Sequence, residues 1–436
     1  MPAGSTRGRM TLAQQICQQI PPHLVGKLTR KHGIDARSFS SWSHVTAHIC
    51  GQVTRAIGLN DICDSLEINS SSLRAIRGAT PPKRNTFSHA NRTRSSRLPE
   101  ELYWSMVAHL STLNPSFGKG KIRNGYLRRF KSRIHAVDST TIQLVANCLG
   151  WAKHRRRKAA AKCHLSLNLQ TMLPSYAVVD TGKSADNATA WEVCSHLKDG
   201  EIVVFDKAYV DFSHLGSLDK RGVCWVTRAK SNMLYRVIQE NGVDPKSRVN
   251  SDQIVELADY MTKKKWQGQM RLVKATVEID GKDTQLEFLT NNFDWSPWTI
   301  AELYRARWEI EVFFKEVKQT VQLVDFIGYN KNAVEWQIWM ALLTHLLMRF
   351  FAHLSRWRYS FTRMFSLARA SLWHRYNILD LLTSYGTAGG LIRMRACPQH
   401  AYLPGFGVLD DFPMGQPKRR KARQSKRYEE SMQSRK

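Results

Sequence analysis

Tyr304, Arg307, Glu311 and Lys318 stand three, four and seven residues apart on a stretch that reads as one helix. At about 100° per residue they fall on a single stripe. A face carrying two cations, a carboxylate and a phenol suits phosphate chemistry. Arg307 can grip a phosphate in a bidentate fork and Lys318 as a point charge, while Tyr304 can hydrogen-bond one or stack on an unpaired base. The competing reading is a solvated face whose ion pairs contribute only a few tenths of a kcal/mol. The apolar set Leu303, Ile310, Phe313, Phe314, Val317 and Val321 occupies a neighbouring face, which anchors the helix on a core. Two aspartates upstream sit in unusual company. Ile134-His-Ala-Val137-Asp138 and Glu201-Ile-Val-Val-Phe205-Asp206 are short apolar runs of the kind that form buried strands. Burying an ionised Asp costs several kcal/mol unless it is paired or binds a metal. For Asp138 the bland alternative is a cap on the Ser-Thr turn that follows it.

The spacing Tyr-x2-Arg-x3-Glu-x6-Lys resembles the signature of insertion-sequence-4 type transposases. The resemblance covers about residues 30–355, and its three blocks come in order. It implies that Asp138, Asp206 and Glu311 form an Asp-Asp-Glu site holding two magnesium ions, with manganese able to substitute. Asp138 would bridge both ions, and Asp206 and Glu311 would hold one each. Three carboxylates with two divalent ions cut and join phosphodiesters without a side-chain general base. Tyr304, Arg307 and Lys318 would grip the element end, and cleavage in this family passes through a DNA hairpin. The more usual Asp-Arg-Gly-Tyr of the family reads Asp206-Lys207-Ala208-Tyr209 here, which keeps a base and a small residue. Arg84-Asn-Thr-Phe-Ser-His-Ala-Asn91 is similar to a block in the helical N-terminal region of one branch of the same family.

Charge agrees with a polyanionic partner. The 436 residues carry 65 Lys and Arg against 36 Asp and Glu, a net +29, clustered in blocks at 83–97, 119–133, 153–162 and 418–427. Such a balance fits nucleic acid. The 8 cysteines show no Cys-x2-Cys pair, so neither a zinc site nor a disulfide framework is indicated; they read as reduced cytosolic thiols. No hydrophobic leader follows Met1, and secretion is not expected. The apolar run 336–354 contains Gln337, His345 and Arg349, whose cost at bilayer depth favours a buried helix over a membrane span.

The elements that must position these residues are those of an α/β chain with a ribonuclease-H-like core. Strands are expected at 134–144, 161–169, 176–180, 201–205 and 223–227, with helices at 98–113 and 188–198. Strand-like runs at 234–239, 254–258, 270–280 and 284–290 make a β insertion, about 230–292, ahead of the last catalytic helix, as the resemblance implies. Residues 1–97 read as a helical DNA-binding region, with 81–97 a basic polar connector and two short helices within 59–77 permitting either a helix-turn-helix or a plain bundle. The catalytic domain spans 98–355, a helical region 356–416, and a basic tail 417–436, with nine Lys and Arg against two Glu, is expected to be disordered. The expected function is that of a DNA transposase acting in a prokaryotic cytoplasm on nucleoid DNA, a homodimer on its element's terminal inverted repeats, joining the freed ends to target DNA. The alternatives are a domesticated nuclease with the same site and a non-catalytic DNA-binding regulator.

Overall fold

The computed structural model describes residues 8–119, 125–144, 148, 153–155, 158–181, 186–279, 281–321 and 327–385. The basic tail 417–436, residues 386–416, and parts of the basic blocks at 119–133 and 153–162 lie outside them.

Strand β1 (Ile134–Leu144) organises the sheet. Around it come β2 (Lys153–Arg155), β3 (Lys158–Asn168), β4 (Leu173–Thr181), β5 (Ile202–Phe205) and β6 (Cys224–Arg228). β3 is antiparallel to both β1 and β4, whereas β5 runs parallel to β1 and to β6. The order β4-β3-β1-β5-β6 is that of a ribonuclease-H-like core. All four residues of β5 are buried, as a parallel strand covered on both faces requires.

The insertion consists of β7 (Tyr235–Asn241), β8 (Val249–Leu257), β9 (Met270–Ile279) and β10 (Lys282–Thr290), an antiparallel meander. Its last strand pairs with β6, with Leu289 opposite Thr227. The insertion therefore extends the core into one ten-stranded sheet.

The N-terminal helices are α1 (Leu12–Gln18), α2 (Pro22–Lys31), α3 (Ser41–Thr54), α4 (Leu59–Ile68), α5 (Ser70–Arg74), α6 (Arg84–Thr93), α7 (Arg97–Leu113) and α8 (Pro115–Lys119). Pro21 and Pro22 separate α1 from α2, because proline suits a first helical turn and not an interior. The segment read as a basic connector is a helix instead. Phe87, Ala90 and Asn91 of α6 are buried; spaced i, i+3, i+4 they make one packing face, and the many basic residues around them hid it. The second helix of the suggested helix-turn-helix, α5, is only five residues long.

The helices outside the N-terminal region are α9 (Asp186–Val193), α10 (Phe212–Lys220), α11 (Tyr260–Lys263), α12 (Pro297–Ala306), α13 (Trp308–Thr320), α14 (Lys331–Leu354), α15 (Phe361–Ala370) and α16 (Ile378–Ser384). α14 is the long apolar helix. Seventeen of its residues are buried, and it packs on α3, α6, α7 and α13. No helix among the described residues is long and apolar enough to cross a membrane.

Candidate active site

β1 and β5 are in parallel register with Val137 opposite Phe205. One step further along each chain stand Asp138 and Asp206, so the register delivers the two carboxylates side by side. Asp206 begins a 3-10 turn, Lys207–Tyr209, closed by the Tyr209 N–H donating to the Asp206 carbonyl at 2.9 Å. The Tyr209 hydroxyl lies 3.1 Å from His164 Nδ1 on β3, with both side chains buried. The tyrosine of the Asp-Lys-Ala-Tyr block thus anchors the loop that carries Asp206. No pattern in the chain marks His164 as its partner, since a lone His in an alternating strand looks like any core residue.

The polar row comes from α12 and α13. It is not one continuous helix: the ladder tightens at Arg307, whose N–H donates to the Tyr304 carbonyl at 3.0 Å and whose carbonyl accepts from the Ile310 N–H at 3.0 Å. The bonds there are i to i+3, a 3-10 pattern, and the local backbone stays right-handed. The stripe survives the junction. All six residues of the anticipated apolar set are buried.

Tyr304, Arg307 and Lys318 reach across to β1 or to the turn after β5, and Glu311 is met by Arg307. Arg307 spans two carboxylates, one guanidinium nitrogen donating to Asp138 Oδ2 at 2.9 Å and the other to Glu311 Oε1 at 2.8 Å. The Tyr304 hydroxyl donates to Asp206 Oδ1 at 3.1 Å. Lys318 Nζ donates to the Thr141 carbonyl of β1 at 3.1 Å. Burial pushes the Asp138 carboxyl up to about 6; the Ser139 N–H and Arg307 oppose this, while Glu311 and Asp206 add to it. Three carboxylates therefore feel one another here. Burial likewise raises Tyr304 to about 12 and lowers Lys318. For Arg307 burial works against the charge, but Tyr304, Asp138 and Glu311 together outweigh it and the net shift is upward.

The residues now in place share similarity with known proteins. A family model described as a transposase DDE domain matches residues 129–347, half of the chain. The chain belongs to the DDE transposase family. A domain of unknown function matches residues 9–76 of this transposase. A Sinorhizobium fredii protein named as a transposase is 27% identical over 263 residues, 59% of this chain and 72% of its own. The protein named as the transposase of insertion sequence element IS5377 of Geobacillus stearothermophilus is 27% identical over 221 residues, 51% of this chain and 57% of its own. The transposase of IS231E from Bacillus thuringiensis is 23% identical over 398 residues, 79% and 80% of the two chains. Transposases of this family are DNA-cleaving and strand-transferring enzymes that depend on divalent metal.

The donor set suits such a metal in kind. Carboxylate oxygens are what hard divalent cations prefer, and an Asp138 carboxyl made reluctant to ionise by burial, with Glu311 and Asp206 adding to it, is a site that a cation would relieve. In spacing the set is arranged differently: among the described residues no three His, Cys, Asp or Glu side chains already form a ligand cluster. The positive charge between Asp138 and Glu311 is the guanidinium of Arg307.

Sequence reasoning missed two supporting residues. Arg271 of β9 forms a buried bidentate pair with Asp252 of β8 at 2.8 Å and 2.8 Å, and donates to the carbonyls of Phe293 and Trp295 at 2.9 and 2.6 Å. It therefore fixes the linker that launches α12. Trp308, the first residue of α13, is 54% exposed beside Arg307. Its only signal was a large aromatic lying off the apolar stripe.

Proposed function

We propose that Asp138, Asp206 and Glu311 are the catalytic carboxylates of an insertion-sequence transposase, and that Tyr304, Arg307 and Lys318 hold the DNA end against them. The observation that carries this reading is that the row meets both aspartates, Arg307 joining Asp138 to Glu311 and Tyr304 reaching Asp206. A solvated helix face would leave those side chains in water.

Asp138 and Asp206 from the sheet and Glu311 from α13 would hold two magnesium ions, with manganese as a substitute. When bound, such ions activate a water or 3′-hydroxyl and stabilise the leaving oxygen. Arg307 must let go of Asp138 and Glu311 before those oxygens are free for a cation, and its fork then matches a phosphate instead. The same side chain thus keeps the buried carboxylates compensated at rest and receives the scissile strand's backbone in the complex. Tyr304, released from Asp206, can donate to a neighbouring phosphate. Lys318, at the far end of the row, adds a point charge. The substrate is double-stranded DNA, the terminal inverted repeats and a target, engaged by a homodimer in a prokaryotic cytoplasm.

The test is nicking of a labelled repeat-end duplex in Mg²⁺ by Glu311→Gln, Asp138→Asn and Asp206→Asn. Glu311→Gln keeps size and shape but removes the charge a divalent ion needs. Each variant is expected to fold and bind the duplex, and to lose cleavage by about a hundredfold or more. Cutting by Glu311→Gln at the wild-type rate would overturn the assignment. A fall of at most about 1 kcal/mol in stability with cleavage intact is what a surface ion pair would give.

A further inference from the structure

At the opposite end of the same strands lies a cavity of about 840 Å³. His135 opens β1 and Glu201 immediately precedes β5, so both sit at the strand starts, whereas Asp138 lies further along β1 and Asp206 beyond the end of β5. The hollow is walled by α7, by the turn between β3 and β4, and by Phe130.

Its floor is polar and unsatisfied. His135 is 2% exposed, and neither of its ring nitrogens has a hydrogen-bond partner. Its nearest charged neighbour, Glu201 Oε2, is 3.6 Å away, and that oxygen is already taken by the Lys198 backbone N–H at 3.0 Å. Burial, with His196 and Arg133 adding to it, holds the imidazole at about 3. The ring is therefore neutral at physiological pH and offers one donor and one acceptor. Buried polar groups are nearly always paired, and this one belongs to a residue that lines the cavity. The walls mix apolar side chains, Trp104, Phe130, Leu173 and Pro174, with polar ones such as Asn168 and Thr171. Lys131, Arg133 and Lys198 also line the cavity, and all three are exposed. Against these three cations stands the single carboxylate of Glu201, which Arg133 approaches at 3.7 Å.

We propose that this cavity binds a single nucleoside phosphate, its ring against the Trp104 and Phe130 wall with a hydrogen-bonding edge on His135, and its phosphate on Lys131, Arg133 and Lys198. An inorganic anion would use the cations and leave His135 unpaired. A plain hydrocarbon would use the walls and leave both unpaired. The volume lies within the roughly 300–1,000 Å³ typical of small-molecule sites. The proposal does not depend on the role of the carboxylates.

The test is calorimetric titration of the full chain, without divalent metal, with deoxynucleoside monophosphates, the matching deoxynucleosides and pyrophosphate. Saturable binding of a monophosphate, tighter than either the nucleoside or pyrophosphate, is expected. The double variant Arg133→Ala with Lys198→Ala, both exposed and able to fold, should weaken the monophosphate about tenfold or more and leave the nucleoside unchanged. Trp104→Ala should weaken both. No saturable binding, binding untouched by these variants, or pyrophosphate equalling the monophosphate would overturn the site. A single-stranded oligonucleotide that displaces the monophosphate identifies a nucleotide of bound DNA as the occupant; one that does not identifies a free nucleotide. Either result supports the site.

Discussion

Asp138 is the residue at which the proposed metal-binding role works against stability. Its folded value of about 6 lies above the ordinary 3.8 because burial disfavours the charge. Between those values the folded chain holds more protons than the unfolded one, so this group's contribution falls as pH rises from about 4 to about 6 and is flat above. At neutral pH the ionised carboxylate costs the metal-free protein stability. Asp138→Asn should therefore raise the melting temperature in EDTA at pH 7.5, by about 1–3 kcal/mol of stability, and flatten the pH dependence between 4 and 6. A lower melting temperature, or an unchanged pH profile, would refute the burial argument. Arg307 gives the opposite experiment. Its removal leaves Asp138 and Glu311 facing each other without a cation; because the Glu311 side chain is 36% exposed, solvent screens this to a loss of about 1 kcal/mol. An added divalent ion should restore part of that. The expected result is a lower melting temperature in EDTA and a larger rise on adding Mg²⁺ than in the wild type. Equal metal-induced rises in the two proteins would mean that Arg307 does not occupy the cation's place. Sequence spacing showed that these side chains share a face, but not that the guanidinium lies between the acids, because spacing along one helix is silent about what the opposite sheet presents.

At the level of elements, the strands were legible and the way they connect was less so. Short apolar runs bounded by turns identified β1, β3, β4, β5 and β6 and the four strands of the insertion, because each strand face has its own periodicity. That β10 pairs with β6 and merges the insertion into the main sheet depends on register between distant segments, which no single-strand pattern contains. The same holds for the tightening at Arg307 and for α6, whose three buried residues lie among basic ones. Arg271 shows what the merger accomplishes. Held by Asp252 within the insertion, it binds the Phe293 and Trp295 carbonyls and so fixes where α12 starts. Arg271→Ala strands a buried Asp252 carboxylate and frees the linker; it should cost about 3–5 kcal/mol. Because Glu311 lies downstream of that linker, cleavage measured well below the variant's melting temperature should also fall. Full cleavage by the folded variant would show that α12 is positioned without the insertion.

For the whole molecule, the N-terminal helices are part of the structure that holds the helix carrying Glu311. His44 of α3 packs at a tilt against Trp336 of α14 with ring centroids 4.1 Å apart, and His44 and His48 both reach Asn91 Oδ1 of α6, at 2.8 and 2.9 Å. Asn332 Nδ2 donates to the Asn91 and Arg94 carbonyls at 2.9 and 2.7 Å, and Trp336 Nε1 donates to the Arg94 carbonyl at 2.7 Å. The first described residues also meet the connection between α15 and α16: Gly8 N–H donates to the Arg375 carbonyl and Ala13 N–H to that of Leu372, each at 2.9 Å. The described residues from Gly8 to Tyr385 form one compact unit. α14 in turn packs on α13, which carries Glu311. A composition shift near residue 97 suggests a boundary at which a separate DNA-binding module could be removed. The packing argues against independence: deleting residues 1–97 would expose Trp336 and its apolar neighbours and strand the polar groups of Asn332 and Glu335, the latter now 2.6 Å from the Ser96 hydroxyl. A fragment comprising residues 98–436 is expected to bind a hydrophobic dye, lose a sharp thermal transition and be cut by protease within α14. A monomeric fragment with a cooperative melt would show instead that the catalytic unit holds α14 in place without the N-terminal helices.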